Sequence, residues 1–370
     1  MNIVCSKANL LNGVQIVSKA VPNKTTMSIL ECILIEASGS VIKLTANDME
    51  MGIETRIRGQ IIKEGKIALD AKIFYEIVRK IPDGDITVDV EANTFRTIIS
   101  SGKSVFTIIG KSGEDFSYLP EIEKIDSIIV SQFTLKETIR QTIFSIADNE
   151  NNKLMTGELF EINGDNLKVC SLDGHRISIR RVELKNNYPN RKVVVPGKTL
   201  NEISKILSGD TDRDVTIFFT GKHVVFEFDE TVVVSRLIEG EYFRIDQMLS
   251  SDFETKVTVN KKEFYNCIDR ATLLIKENDK KPIIINVTDE ILELKMNSTI
   301  GSMNEEIDIK KQGKDLMIGF NPKFLLDALK VIDDETIDIY MVNPKAPCFI
   351  RDSEENYIYL VLPVNFTTVS

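Results

Sequence analysis

The sequence predicts an α+β protein that consists of three tandem copies of one structural unit. Two observations predict this class. An amphipathic helical pattern occurs three times, at intervals of 125 and 129 residues. Each occurrence is followed by a hairpin of alternating apolar residues, a second helix and further strands. Repetition at a nearly fixed period indicates a duplicated unit, and a regular mixture of helices with sheet-forming hairpins favours the α+β class.

The first helix of each copy is predicted from apolar side chains spaced three or four residues apart. In residues 6–20 these side chains are Leu10, Val14 and Val17. Residues 131–146 and 260–275 repeat the pattern. We therefore expect three equivalent helices, each with one buried face and one polar face.

A hairpin is predicted after each of these helices, because two alternating runs flank a pair of turn residues. The three turn pairs are Ser38-Gly39, Asn163-Gly164 and Asp289-Glu290. A short strand then leads into a second helix, predicted at 71–80, 197–207 and 321–331, and a strand pair ends the copy. The predicted order is helix, strands, helix, strands, in domains that cover residues 1–125, 126–251 and 252–370.

A further hairpin turn is predicted at Asp173-Gly174, between a strand that ends near Cys170 and an alternating run that starts at Ile177. This turn is followed by His175, one of only two histidines in the chain, and by an arginine. It is the one stretch near the middle of the chain where unusual polar residues stand beside a predicted turn. We therefore treat it as a candidate functional segment.

The predicted helices are basic although the chain is acidic. The formal net charge at pH 7 is −10, whereas the six predicted helices carry 14 Lys or Arg and 6 Asp or Glu residues, a net of +8 that leaves −18 elsewhere. On one helix such residues would merely solvate an exposed face. Across all six they indicate a shared basic surface that binds phosphates without reading bases. Because the helices lack the interleaved aromatic side chains of single-strand binders, we expect a duplex.

No motif for catalysis, cofactor binding or metal binding is recognised. The Gly-Lys pairs that begin at Gly102, Gly110 and Gly197 lack the earlier glycine of a phosphate-binding loop. The five cysteines are odd in number and scattered, so we expect buried thiols rather than disulfides or a zinc site. His175 and His223 do not combine with them at a metal-ligand spacing. A signal sequence and an apolar run of ~18 residues are also lacking, so we expect a soluble cytoplasmic protein with no membrane partner.

Four segments together resemble the bacterial sliding clamp family, the beta subunit of the replicative DNA polymerase III. They are residues 44–51, 172–177 (Leu-Asp-Gly-His-Arg-Ile), 237–242 and 359–364 (Tyr-Leu-Val-Leu-Pro-Val). The resemblance implies a DNA clamp fold and a head-to-tail homodimer that closes a ring, with twelve helices inside and sheets outside. Helices about 10 Å wide would enclose an opening of roughly 28 Å, enough for a duplex on the order of 20 Å wide. It also implies a nucleoid-associated, non-catalytic processivity factor.

The resemblance also implies the partners and a peptide pocket between the second and third domains. The partners are duplex DNA, the clamp loader, the replicative polymerase and other proteins with a clamp-binding motif. Phe243 stands where the family often has proline, and Gln247 and Asn365 stand where it often has arginine. The positions that match the pocket are Met155, Leu172, Gly174, His175, Arg176, Ile177, Phe243, Gln247, Met248, Val361, Leu362, Pro363 and Val364.

Two further surfaces are predicted, one for DNA and one for the subunit interface. DNA-binding residues expected from the resemblance are Lys24, Asn149 and Lys198. Those expected from helix charge alone are Lys72, Arg79, Lys80, Arg140 and Arg270. The resemblance places Lys103, Phe106 and Ile108 on one side of the interface and Leu273, Leu274, Glu305 and Glu306 on the other.

On the residues alone, two other functions stay open. A metabolic enzyme with an acidic surface would need a catalytic group, and loss of turnover on substitution of His175 would favour it. A protein-interaction scaffold without DNA would be indifferent to joint neutralisation of Lys24, Arg140 and Lys198.

Overall fold

A computed structural model describes residues 1–117, 122–148, 151–249, 252–276, 281–352 and 354–366. Within them the predicted α+β class is confirmed, because helices are combined with antiparallel sheets. The α-helices are α1 (Lys7–Val17), α2 (Ala71–Lys80), α3 (Gln132–Thr142), α4 (Gly197–Ile206), α5 (Lys261–Thr272) and α6 (Pro322–Val331). All six predicted helices are therefore present.

The ends of two helices differ from the prediction. The pattern at 6–20 ends as an α-helix at Val17 and continues as a 3₁₀ turn, Ser18–Ala20. The pattern at 131–146 likewise passes from α3 into a 3₁₀ turn, Ile143–Ser145. Tightening of the last turn is a common way to satisfy the free carbonyl groups at a helix end.

The predicted order of elements within each copy was incomplete, because a strand precedes each first helix. These strands are β1 (Asn2–Ser6), β11 (Asp126–Ser131) and β17 (Thr255–Asn260). Their last residues cap the helices that follow: the side chains of Ser6, Ser131 and Asn260 accept the amide hydrogen three residues on. An N-cap of this kind typically contributes about 1 kcal/mol. The capping residues mark the helix starts, but the strands before them are short and were overlooked.

The other strands follow in chain order. In the first copy they are β2 (Cys32–Ser38), β3 (Val41–Asn47), β4 (Met51–Ile57), β5 (Gln60–Lys63), β6 (Gly65–Asp70), β7 (Asp85–Val90), β8 (Arg96–Ser101), β9 (Ser104–Ile109) and β10 (Lys111–Ser112). In the second they are β12 (Gly157–Leu172), β13 (Arg176–Pro196), β14 (Asp214–Phe219), β15 (His223–Phe228) and β16 (Thr231–Arg236). In the third they are β18 (Ile283–Thr288), β19 (Ile291–Asn297), β20 (Ser302–Gly313), β21 (Leu316–Phe320), β22 (Thr336–Met341), β23 (Cys348–Arg351) and β24 (Tyr357–Val361).

The chain divides into two compact units. The first contains residues 1–136 and 198–237. Its strands form a five-stranded sheet in the order β5-β1-β7-β8-β9 and a nine-stranded sheet in the order β10-β6-β2-β3-β4-β16-β15-β14-β11. The nine-stranded sheet joins the first two copies, because β16 pairs with β4 from Thr231 opposite Thr55 to Ser235 opposite Met51.

The second unit contains residues 137–197 and 238–370, with the gaps noted above. Its ten-stranded sheet has the order β12-β13-β24-β23-β22-β17-β20-β19-β18-β21. Here β24 pairs with β13, from Tyr357 opposite Arg180 to Val361 opposite Arg176. The sheet therefore joins the second and third copies in the way that the nine-stranded sheet joins the first and second.

The interior is apolar, as the alternating patterns predict. One large core cluster in the second unit packs the buried faces of α5 and α6 on the sheet, with Phe264, Ile268 and Leu325 almost fully buried. All five cysteines are buried and free, in agreement with the expectation of reduced thiols. None of the helices formed by the described residues is both long and apolar enough to cross a membrane.

Candidate functional site

The turn between β12 and β13 is held by the side chain of Asp173. Its Oδ1 accepts the amide hydrogens of His175 and Arg176, with N···O distances of 2.9 and 3.1 Å. Gly174 has φ +88°, a backbone conformation that side chains other than glycine rarely adopt. The predicted hairpin is confirmed, because Leu172 pairs with Ile177 across the turn. The same turn leaves Gly174 and His175 exposed and turns the arginine inward.

Arg176 is the polar centre of this segment. Its side chain is only 7% exposed and donates to Asp173 Oδ2 at 2.9 Å, to Asp327 Oδ2 at 2.7 Å and to the carbonyl oxygen of Phe144 at 2.6 Å. Burial by itself lowers the pKa of Arg176, but the hydrogen bond to Asp327 and the neighbouring negative charges outweigh burial and raise it. The guanidinium therefore stays charged and joins the hairpin to α6 and to the 3₁₀ turn Ile143–Ser145 that follows α3.

Aromatic rings surround this guanidinium. Its central carbon lies 4.5 Å from the ring centroid of Phe324 and 5.4 Å from that of Phe144. The His175 ring stacks on Phe324 with a centroid distance of 5.9 Å. Cation–π contacts of this kind contribute about 1 kcal/mol. The His175 ring thus lies exposed at the turn and against Phe324.

The C-terminal segment 361–364 lies beside the hairpin. Val361 is opposite Arg176 in the sheet, and the amide of Leu362 donates to the carbonyl of His175 at 2.9 Å. Two residues further on, the amide of Val364 donates to the carbonyl of Gly319 in β21 at 2.8 Å. The segment is therefore anchored on both sides, while the Leu362 side chain is 38% exposed.

An apolar cluster lies on the face of the hairpin opposite the helices. Its buried members include Leu172 and Ile177, and Met155 and Phe243 pack against it half-buried. Tyr242 meets Phe243 edge to face with a centroid distance of 5.6 Å. We refer to these residues as the apolar cluster and include with them two exposed side chains that are close in the chain to the cluster members Leu360 and Ile245, those of Leu362 and Met248. Met248 is 46% exposed, so the cluster combines a buried base with exposed apolar side chains.

One ion-pair network holds the segment that bears Phe243 and Met248. Lys168 on β12 is largely buried and contacts Glu161 at 2.6 Å and Asp246 at 2.9 Å. Asp246 lies in the 3₁₀ turn Ile245–Met248, which also bears Gln247. Burial opposes the charge of Lys168, but the hydrogen bonds to both carboxylates raise its pKa. The network therefore ties the 3₁₀ turn to the sheet.

Four of the predicted pocket residues, Met155, Leu172, Ile177 and Phe243, pack in one cluster of the second unit. The side chain of Val361 belongs instead to the main core cluster. Asp173, Lys168 and Asp327 position the pocket residues but were not in the predicted set, although Asp173 was predicted as a turn residue. The position of Asp173 directly before a turn glycine was a usable signal. The other two act on residues 78 and 151 positions away, so no local pattern could find them.

The predicted DNA-binding residues differ in how their charges are compensated. Lys24 and Lys72 are exposed and form no ion pair with a described carboxylate. The others are paired: Arg79 and Lys80 with Glu76, Arg140 with Glu137 and Asp333, Lys198 with Asp48, and Arg270 with Glu305. Asn149 lies outside the described residues. A paired cation must exchange its carboxylate before it binds phosphate, so the two unpaired lysines are the more available ones.

The predicted interface residues lie at sheet edges and loop ends. Lys103 and Phe106 are exposed and Ile108 is half-buried, on or next to β9, which ends the five-stranded sheet. Leu273 is 79% exposed, and Leu274 packs against the core of the second unit. Glu306 is exposed, while Glu305 pairs with Arg270. One predicted DNA-binding residue and one predicted interface residue therefore neutralise each other.

Comparison with known proteins shows the family. Models of the N-terminal, central and C-terminal domains of the DNA polymerase III beta subunit match residues 1–120, 129–243 and 246–365. The chain therefore belongs to the family of DNA polymerase III beta subunits, the sliding clamps of bacterial DNA replication. It is a non-catalytic processivity subunit, so the metabolic-enzyme alternative is wrong.

Individual relatives cover nearly the whole chain. The beta sliding clamp of Staphylococcus epidermidis is 31% identical over 98% of this chain and 99% of its own length. A crystal structure of a candidate DNA polymerase III beta subunit from Eubacterium rectale is 68% identical in sequence, with a TM-score of 0.96. The match covers 99% of the present chain and the whole of the Eubacterium rectale chain. The DNA polymerase sliding clamp of Bacillus subtilis is 33% identical with the same coverage and a TM-score of 0.95.

Proposed function

We propose that two copies of this chain close head to tail into a ring around duplex DNA. In this ring the three domains extend over residues 1–125, 126–251 and 252–370. The ring tethers the replicative polymerase, the clamp loader and other motif-bearing proteins through the apolar cluster. The observation that carries the proposal is a type of strand pairing that joins neighbouring copies twice within the chain. The strands that would make the same pairing in the first and third copies have no partner among the described residues.

The two internal junctions follow one rule. At the first junction β16, the last strand of the second copy, pairs antiparallel with β4 of the first copy. At the second junction β24, the last strand of the third copy, pairs antiparallel with β13 of the second copy. The equivalent strands left over are β9 of the first copy and Ser302–Asp308 of β20 in the third. Each has one edge with no partner strand among the described residues. Exposed edges of this kind favour pairing with another chain.

The internal registers predict how these two edges would meet. Ser104 follows the β8–β9 turn as Thr231 follows the β15–β16 turn, and Glu305 corresponds to Thr55 in the β19–β20 hairpin. Because Thr231 is opposite Thr55, Glu305 would lie opposite Ser104 of the partner subunit.

Two favourable contacts follow from this register. Met303 would face Phe106 of the partner subunit, and Glu306 would face Lys103 of the partner subunit. An apolar pair and an ion pair across neighbouring strands each stabilise a sheet by roughly 0.2–1 kcal/mol. A heterologous contact between different surfaces closes into a ring when its rotation allows closure.

The charge distribution supports DNA as the encircled ligand. The helices carry the positive charge of an otherwise acidic chain, and phosphate contacts made without base readout allow movement along the duplex. The name of the relatives, sliding clamp, fits this arrangement. In a closed ring, retention depends on topology, and the basic side chains Lys24, Lys72, Arg79, Lys80, Arg140, Asn149, Lys198 and Arg270 only guide the duplex.

The apolar cluster supports peptide tethering. A buried base with exposed apolar side chains and a few fixed polar groups suits short peptides that insert one or two apolar anchors. Met248 and Leu362 supply the exposed apolar part, and the backbone of His175, whose ring stacks on Phe324, is hydrogen-bonded to Leu362. The proposed lining is the set predicted above, from Met155 in the 3₁₀ turn Lys153–Thr156 to Val364 on the C-terminal segment, except Val361, whose side chain lies in the main core.

Retention on circular DNA tests the ring. The protein is loaded onto a nicked circular plasmid by a clamp loader, passed through a sizing column at high salt, and measured on the DNA before and after linearisation with a restriction enzyme. We expect retention on the circle, because salt screens charges but does not open a topological link, and release after cutting. If high salt alone removes the protein from the intact circle, binding is electrostatic and the ring proposal is wrong.

A further inference from the structure

The sheet beneath the end of α3 carries buried polar side chains where the other two copies carry apolar ones. Ser171 lies opposite Ser178 in the sheet, and both are fully buried. In each copy the corresponding pair flanks a turn whose first amide donates to the carbonyl oxygen three residues further on. The pairs in the other copies are Ala46 opposite Ile53 and Met296 opposite Met303. Two hydroxyl groups therefore replace apolar side chains in the second copy.

Glu158 is a second polar replacement on this part of the sheet. It is opposite Val195 on β13. The corresponding residue is isoleucine in both other copies, and the side chains at all three positions have no exposed surface. The corresponding pairs are Ile33 opposite Leu69 and Ile283 opposite Phe320. The second copy thus has an acid where the same fold elsewhere has an isoleucine.

The chain above the sheet is polar in the same place. Thr142 ends α3, and Ser145 ends the 3₁₀ turn Ile143–Ser145 that follows it; both side chains are fully buried. The residues at the same distances from the helix N-caps are Val17 and Ala20 in the first copy and Ala271 and Leu274 in the third. We refer to Thr142, Ser145, Glu158, Ser171 and Ser178 as the polar core.

Three hydrogen bonds tie the 3₁₀ turn to the sheet. Ser171 Oγ donates to the carbonyl oxygen of Thr142 at 2.5 Å, and the hydroxyl oxygens of Ser145 and Ser178 lie 2.7 Å apart. Between them, the carbonyl oxygen of Phe144 accepts from Arg176 Nη2 at 2.6 Å. The turn is therefore joined to the strand that bears Arg176, one of the predicted pocket residues.

Glu158 is the member of the polar core whose charge can change. Neither of its carboxylate oxygens has a hydrogen-bond donor among the described residues. Burial raises the pKa of Glu158 to about 8, against a smaller lowering by the Thr142 hydroxyl. A buried carboxylate without donors is strongly unfavourable, and entry of water relieves that cost. Ionisation therefore favours separation of the 3₁₀ turn from the sheet.

The other titratable groups around the polar core keep their charge near pH 8. Burial raises the pKa of a thiol and of three phenols, so all four stay neutral; they are Cys170 on β12, Tyr242 after β16, and Tyr357 and Tyr359 on β24. Arg140 on α3 and Arg176 on β13 stay charged, because paired carboxylates raise the pKa of both. The carboxylates are those of Glu137, Asp333, Asp173 and Asp327.

We propose that Glu158 makes the peptide pocket sensitive to pH. While Glu158 is protonated, the 3₁₀ turn stays on the sheet and the Phe144 carbonyl positions Arg176. Loss of the proton favours separation of the turn, which leaves Arg176 without that acceptor and lowers the affinity of the pocket for peptides. The inference rests on the proposed function, since it assumes that this pocket binds peptides. Glu158 is then a positioning residue that acts through Phe144 and Arg176.

Peptide affinity as a function of pH tests this regulation. The full-length protein is titrated with a clamp-binding peptide of the replicative polymerase that carries tetramethylrhodamine, and anisotropy is measured at pH 7, 8 and 9. One pH unit above the pKa about a tenth of Glu158 stays protonated, so the dissociation constant should rise about tenfold from pH 7 to pH 9. Glu158→Gln stays neutral and should show no such rise. The same profile for both proteins would overturn the proposal.

Glu161→Gln is the matched control on the same strand. Hydrogen bonds from Lys168 and Lys192 lower the pKa of Glu161, so its charge does not change between pH 7 and pH 9. We expect this variant to keep the tenfold rise, whatever its affinity at pH 7. If Glu158→Gln fails to fold in a thermal melt, Glu158→Ile takes its place, because isoleucine stands at this position in the other two copies. It should give the same flat profile.

Amide hydrogen exchange of the 3₁₀ turn separates this inference from the proposed function. The ratio of exchange rates in the unmodified protein and in Glu158→Gln cancels the intrinsic effect of pH, and should rise about tenfold from pH 7 to pH 9. If the peptide does not bind the unmodified protein at pH 7, the tethering proposal fails, whereas this ratio still decides whether the turn separates. A rising ratio with constant peptide affinity would show that the turn separates without affecting the pocket, and would overturn the regulation.

Discussion

Glu158 is the most unfavourably placed ionisable residue among those that the structure describes. It lies on β12 with no exposed surface, and neither carboxylate oxygen has a hydrogen-bond donor among the described residues. The nearby hydroxyl of Thr142 donates instead to the carbonyl of Thr138. Burial raises the pKa of Glu158 to about 8, against a smaller lowering by Thr142. The side chain is therefore a neutral acid at pH 7 in the folded protein.

This raised pKa predicts a pH-dependent stability. Above its ordinary pKa of 4.5 the unfolded chain releases the proton that folded Glu158 keeps up to about pH 8. The folded state therefore binds more protons in this window, and the free energy of unfolding falls as pH rises, by about 1.4 kcal/mol per pH unit for this group. Glu158→Gln should remove that dependence and unfold at higher denaturant concentration than the unmodified protein at pH 8.

Chemical denaturation at a series of pH values between 4.5 and 8 measures the effect. Glu161→Gln is the matched control, because burial is outweighed by hydrogen bonds from Lys168 and Lys192, which lower the pKa of Glu161. Glu161→Gln should lower the free energy of unfolding at neutral pH, because it removes the ion pairs with Lys168 and Lys192. Parallel stability profiles for the unmodified protein and Glu158→Gln would contradict the assignment of a buried neutral acid.

At the scale of elements, the C-terminal segment depends on a close approach to β21. A Cβ atom on Gly319 would lie 2.6 Å from the ring of Phe366 and 2.8 Å from the carbonyl oxygen of Val364. Glycine is therefore required where the segment crosses β21. The hydrogen bond from Val364 to Gly319 and the packing of Phe366 hold the residues that precede them next to the hairpin.

Gly319→Ala should displace this segment and weaken the peptide pocket without unfolding the domain. We expect the dissociation constant of a labelled clamp-binding peptide of the replicative polymerase to rise about tenfold, equivalent to about 1.4 kcal/mol. Gly221→Ala is a suitable control, because no atom lies within 4 Å of the Cβ that it adds. Equal affinity for both variants would show that the segment does not shape the pocket.

The elements also show what periodicity can and cannot predict. The helical spacing of Leu10, Val14 and Val17 gave the position of α1, because one face of the helix is buried and its spacing is local. The strands β1, β11 and β17 were missed, because short strands next to a helix cap contain too few alternating residues to be distinguished. The lengths of β12 and β13 were also missed, since pairing across the sheet extends both strands past their apolar runs.

At the scale of the whole molecule, the proposed register at the subunit junction is directly testable. A variant with Phe106→Cys and Met303→Cys should form disulfide-linked dimers on mild oxidation, because residues directly opposite in neighbouring antiparallel strands have Cα atoms about 4.5–5.5 Å apart. That separation suits a disulfide. All five native cysteines are buried, so they should not compete. Denaturing electrophoresis measures the yield.

The control for this experiment shifts one cysteine by one residue. Phe106→Cys combined with Asn304→Cys places the second thiol on the opposite face of the strand, because successive side chains alternate. Cross-linking should then be much weaker. Comparable yields for the two pairs, or monomers in both, would refute the register and the head-to-tail closure built on it.

The sequence by itself determined the threefold repeat, the helices, the hairpins at Ser38-Gly39 and Asp289-Glu290, and the positive charge of the helices. The chain also reverses at Asn163-Gly164, within the range of β12. Glu161 and Lys168 form an ion pair there at 2.6 Å, whereas seven residues of one straight strand span about 23 Å. These features depend on residues that are close along the chain, where spacing alone decides which face is buried. The turn at Asp173-Gly174 belongs to the same class, since its hydrogen bonds span three residues or fewer.

Only the tertiary structure decided which strands join the copies and which charges are compensated. Arg176 finds Asp327 across 151 residues, Lys198 finds Asp48 across 150, and Arg270 finds Glu305 across 35. Two side chains form an ion pair or pack together only when they are close in space. For residues far apart in the chain, that distance is known only once the whole fold is known.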